Sequence, residues 1–79
     1  MSKSLGTQEW KKFLAVLRNA RLSANMTQAQ LVDILGRPQS FVAKVEGGER
    51  RLDVVEFRHW AWALGTTPQS LFELIDAGN

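Results

Sequence analysis

Cysteine and tyrosine are missing from the 79 residues, histidine occurs once, proline twice and glycine six times. Without cysteine there can be no disulfide framework, thiolate nucleophile or zinc ribbon, and His59 alone cannot supply the two or three imidazoles of most metal sites. No metal and no cofactor is therefore expected. A chain this short buries only about 60% of its unfolded surface, which leaves little room for a deep catalytic pocket beside a core, so an enzyme is not expected either. Apolar runs last only a few residues, far short of the roughly 20 that cross a bilayer, and no basic-then-apolar leader opens the sequence. The expected location is cytoplasmic, with no membrane partner. A strong excess of one charge is also missing: ten Lys and Arg against eight Asp and Glu give +2, which permits a nucleic-acid partner without requiring one.

What remains is a globular composition, 44% hydrophobic and 23% charged. One domain over 1–79 fits, with an ordered core over about 7–76. Periodicity gives five short helical segments and no two-residue alternation of a half-buried strand, so the expected class is all-α. The first segment follows Thr7 as cap and Glu9 as early acid, and places Trp10, Phe13, Leu14, Leu17, Ala20 and Arg21 on one stripe. Asn25 suits its left-handed end. Thr27 with Gln30 spells a capping box for the second helix, whose inner face is read as Leu31, Ile34 and Leu35 and whose end is Gly36. Pro38 suits the first turn of a third helix that carries Val42 and Val45 inward and closes at Gly47 and Gly48. Asp53 with Glu56 spells a second capping box, ahead of an inward face of Val54, Phe57, Trp60, Ala61 and Leu64. Thr67 and Pro68 then open a last helix bearing Leu71, Leu74 and Ile75, and only Asp76 to Asn79 look frayed.

The informative stretch is Thr27 to Gly48, TQAQLVDILGRPQSFVAKVEGG: two short helices joined by a Gly-containing turn too tight to lay them antiparallel. With about 100° per residue, Ser40, Ala43 and Lys44 project outward from the second of them, flanked by Gln39 and Phe41. That face is small, polar and basic. It can enter a major groove, where Gln and Lys supply hydrogen-bonding groups for base edges, although composition alone would fit a merely solvated face.

At these residues the sequence resembles the lambda-repressor-like, Xre-type helix-turn-helix family of bacterial and phage regulators. The matching elements are Leu17-Arg18, Arg21, Thr27-Gln28, Leu31, Gly36, Gln39-Ser40, Val42, Lys44-Val45-Glu46, Gly48, Arg50-Arg51, Ala61, Leu64-Gly65 and Leu71, in unbroken register over nearly the whole chain. The resemblance implies a five-helix DNA-binding domain with its helix-turn-helix over 27–46, reading double-stranded DNA with helix 38–46. It implies that Gln28 bonds a backbone phosphate and braces Gln39, and that Gln39 reads bases, as an amide can by pairing with adenine N6 and N7. Ser40 and Lys44 join it as base readers, while Phe41 is either a thymine-methyl contact or a core flank. Thr27 and the amides behind it, Arg50, Arg51 and Arg37 are assigned to phosphates, with Arg18 a weaker choice. Arg21 sits in an apolar stripe, where an unpaired charge is costly, and the resemblance supplies Glu46 as its partner.

Two departures stand out. Pro38 takes the place of the usual Ser or Thr cap, and Arg37 that of an apolar residue, so Arg37 is read as the cap and Pro38 as the first helical residue. A homodimer is expected, since one recognition helix covers few base pairs, and Val55, Arg58, Trp62 and Phe72 are the interface candidates. No small-molecule ligand is implied. The functional expectation is a sequence-specific regulator, a repressor; the alternative is a protein-interaction adaptor such as an antitoxin or coactivator, with DNA binding secondary or lost.

Overall fold

The structure, a computed structural model, describes residues 2–77, with side chains from residue 8 onward. Five helices follow one another: α1 (Ser2–Ser23), α2 (Gln28–Leu35), α3 (Phe41–Glu46), α4 (Val54–Ala63) and α5 (Pro68–Ala77), with no strand among the described residues. The chain is all-α. α1 starts before Thr7, which is therefore inside the helix and not its cap, because nothing from Ser2 onward interrupts helical bonding and a single Gly6 is a cost of only about 1 kcal/mol. The Thr7 side chain lies outside the described residues, as do Gly78 and Asn79; Asp76 and Ala77, expected to fray with them, instead continue α5.

Local chemistry sets the other boundaries. Thr27 Oγ1 accepts from the Gln30 amide at 3.0 Å while Gln30 Oε1 accepts from the Thr27 amide at 2.8 Å; Asp53 and Glu56 repeat the exchange at 2.8 and 3.0 Å. Thr67 caps α5 through the Ser70 amide. α1 to α4 each end on a left-handed residue, Asn25, Gly36, Gly48 and Gly65, and each folds back an amide onto a carbonyl five positions earlier.

α1 packs against α3 and α5, α2 against α3 and α4, and α4 against α5. Between them Leu17, Leu31, Val32, Phe41, Val42, Val45, Phe57, Trp60, Ala61 and Leu71 form one buried cluster. Trp60 is fully buried, and its Nε1–H is the one buried side-chain polar atom without a partner among the described residues. Three inward assignments change. Ile34 is 57% exposed and Val32 is buried in its place, Val54 is 76% exposed, and Leu74 is 56% exposed. In a helix of eight or ten residues the apolar arc is about two turns long, and the positions at its edge are covered only where a neighbouring helix happens to pass. α2 is covered on its Leu31–Val32 side by α3 and α4, which leaves Ile34 facing out.

Candidate nucleic-acid interface

The head of α3 is a turn, not a helix. The Phe41 amide donates to the Pro38 carbonyl at 2.9 Å, and Ser40, at φ −86° and ψ 0°, holds the values of the third residue of a type I turn. Helical bonding starts only with the Lys44 amide on the Ser40 carbonyl, so the expected helix 38–46 shortens to Phe41–Glu46 and Arg37 does not cap it. Pro38 has no N–H to enter a helical ladder, and its carbonyl is taken by the tight turn. Gln39 and Ser40 are the central residues of that turn. Both are exposed, as are Ala43 and Lys44 on the helix that follows, whereas Val42 and Val45 are fully buried. Phe41 is 6% exposed and belongs to the core; it is corrected from the base-reading set, because its ring is covered by the guanidiniums of Arg37 and Arg50, centred 4.7 and 4.9 Å away.

Two carboxylates pin the ends of this segment. At the C-terminal end of α3, Glu46 takes two hydrogen bonds from Arg21, at 2.8 and 3.0 Å, with both side chains less than a tenth exposed. Arg21 also donates to the Met26 carbonyl, and Gln28 Nε2 donates to Glu46 Oε1 at 2.9 Å. Gln28 therefore braces Glu46 and not Gln39, since the buried carboxylate has a lone pair to fill and lies within its reach. One N–H of its amide stays free. At the other end, Glu56 receives Arg37 at 2.6 Å and Arg50 at 2.9 and 3.0 Å, and Arg50 also donates to the Arg51 carbonyl. The hydrogen bonds from Arg50 hold the Glu56 carboxyl down at about 2, helped by the Asp53 amide and by Arg37 and opposed by burial; the same contact raises Arg50 above its ordinary range.

The charged loop between α3 and α4 lies against α1. Arg51 stacks over the Trp10 ring at 4.5 Å, and Gly48, at φ +83°, comes so near Leu14 that a Cβ there would meet its Cδ1 at 3.3 Å. At the start of α2 the amides of Thr27 and Gln30 are spent on their capping box, which leaves those of Gln28 and Ala29 pointing out of the helix end. Neither a protein-family model nor a curated protein matches the chain. Among solved structures, an XRE-family like protein from Pseudomonas syringae pv. tomato str. DC3000 is 41% identical over 99% of this chain and 95% of its own, with a TM-score of 0.90.

The chain belongs to the XRE family. Of the residues selected from sequence, this XRE-family fold brings Gln39, Ser40 and Lys44 to one exposed edge and sets Arg37 and Arg50 beside its start. Val55, Trp62 and Phe72 are each about half exposed elsewhere, Trp62 under the Arg58 guanidinium and Phe72 edge-on to Phe57. Sequence reasoning missed Glu56, read only as a capping residue, and Trp10, read only as an apolar position. The capping spacing was visible in the first case, but nothing local signals an arginine 19 residues away. No group of three His, Cys, Asp or Glu able to hold a metal occurs among the described residues, and no described helix is long and apolar enough to cross a membrane.

Proposed function

We propose that this XRE-family chain is a sequence-specific regulator that binds double-stranded DNA as a homodimer and acts as a cytoplasmic repressor. The supporting observation is the Pro38–Phe41 turn: it presents Gln39 and Ser40 at the head of a helix that is anchored through Val42 and Val45 and pinned at both ends, one turn before the exposed Lys44. In this reading Gln39 pairs with adenine, Ser40 and Lys44 contact neighbouring base edges, and the core under them keeps the three in register. Phosphates are bound by the Thr27 hydroxyl, the free N–H of Gln28, the open amides of α2, and Arg37, Arg50 and Arg51 on the flank. The dimer forms through Val55, Arg58, Trp62 and Phe72.

Selection of duplexes from a random pool, followed by titration against salt, tests this. One preferred sequence should emerge, and its affinity should fall linearly on a log–log plot, by about 0.9 per phosphate contacted. Weak binding that ignores sequence would reject the regulator in favour of an adaptor that uses the apolar surface around Trp62.

A further inference from the structure

Glu56 makes more contacts than its place as a helix cap requires. Closing the Asp53 capping box occupies one oxygen, yet the same carboxylate also gathers Arg37 from the turn ahead of α3 and Arg50 from the loop behind it. The Glu56 side chain is 11% exposed, while those of Arg37 and Arg50 stay 37% and 40% exposed, both lying over Phe41. Immobilising two long side chains is entropically unfavourable, and a cap gains nothing from the second. What the arrangement does fix is geometry: the residues entering and leaving α3 are tied to one point at the start of α4.

We propose that Glu56 is a positioning residue for DNA reading, holding Arg37 and Arg50 as a matched pair beside the start of α3. This rests on the DNA-binding reading above. Arg37 spends one terminal nitrogen on Glu56 and keeps its Nε–H and Nη1–H groups for another acceptor, whereas Arg50 spends both terminal nitrogens on Glu56 and the Arg51 carbonyl. A loose arginine attracts any phosphate it can reach, regardless of sequence. One held on a fixed carboxylate, as Arg37 is, favours the phosphate that lies in register with Gln39 and Ser40, because only there are its remaining donors aimed correctly. The carboxylate also cancels one of the two positive charges. Both effects lower indiscriminate binding and raise the share of binding that depends on sequence.

The test uses the whole chain, a selected operator and a scrambled duplex of equal length, with folding checked by thermal melting. Glu56→Gln should bind the scrambled duplex more tightly, with a salt slope steeper by about one, while the operator-to-scrambled ratio falls by about tenfold. Arg50→Lys keeps the charge but loses the fork, so it should lower the ratio without steepening the slope; it decides the matter if Glu56→Gln does not fold. An unchanged ratio overturns the proposal. If both duplexes gain affinity equally, Glu56 is only a charge brake, and if melting alone drops, it is only a cap. A native chain that does not discriminate between the duplexes overturns the DNA-binding reading and this one with it, whereas a discriminating native chain with unaffected variants overturns this one alone.

Discussion

In the proposed DNA-binding reading Gln39 and Arg51 stand for two kinds of contact, and single substitutions separate them. Gln39→Ala should erode discrimination between operator and scrambled DNA by about 1–3 kcal/mol, whereas Arg51→Ala should weaken both and flatten the salt slope by about one, as read by titration at several salt concentrations. Equal losses on both sequences from both changes would remove the distinction. Arg21 needs another measurement, because its charge is buried and fully paired with Glu46 and the Met26 carbonyl. Arg21→Ala should cost about 3–5 kcal/mol in urea unfolding, and Arg21→Met combined with Glu46→Leu should recover most of it, since the uncompensated charge then disappears. Glu56 carries the pH dependence. Its carboxyl is held at about 2 in the folded chain, below its unfolded value, so its contribution is complete above the ordinary carboxylate range and is lost as pH falls from there towards about 2. The stability gap between the native chain and Glu56→Gln should therefore close across that window, and a gap that stays constant down to pH 2 would show that ionisation of Glu56 contributes nothing.

Helix ends govern the next level. Gly36 and Gly48 both sit at positive φ, but a Cβ at Gly36 meets only open space while one at Gly48 meets Leu14 at 3.3 Å. Gly36→Ala should accordingly cost about 1–2 kcal/mol for the left-handed backbone alone, and Gly48→Ala more, by thermal or urea unfolding. These ends were readable in advance, as were both capping boxes, because each depends on residues within four or five positions. The start of α3 was not. Pro38 is compatible with a helix's first turn and with a type I turn alike, and the choice falls to the turn once Phe41 is drawn into the core beneath Arg37 and Arg50. Ile34 and Val54 failed for a related reason: spacing gives a stripe, but which edge of the stripe is covered depends on the angle of the neighbouring helix.

At the scale of the molecule, the half-exposed Val55 and Trp62 lie two turns apart on α4, and in the proposed two-fold dimer they would meet their copies while the α3 helices would read half-sites about 34–36 Å apart. Trp62→Glu should shift sedimentation from dimer to monomer and weaken operator binding, with folding stability changed by no more than about 0.5 kcal/mol because the side chain is exposed. A dimer that persists would place the interface elsewhere. The five helices, the caps of α2, α4 and α5 and the outward-facing Ser40 and Lys44 follow from the sequence alone, since hydrogen-bond capping and helical periodicity act over a few residues. The pairing of Arg21 with Glu46 could be named only through family resemblance. The capture of Gln28 by Glu46, the burial of Phe41 and the gathering of Arg37 and Arg50 by Glu56 were decided by the tertiary structure. Each depends on residues that only the packing of α2, α3 and α4 brings together, and a buried carboxylate then takes whichever donors that packing supplies.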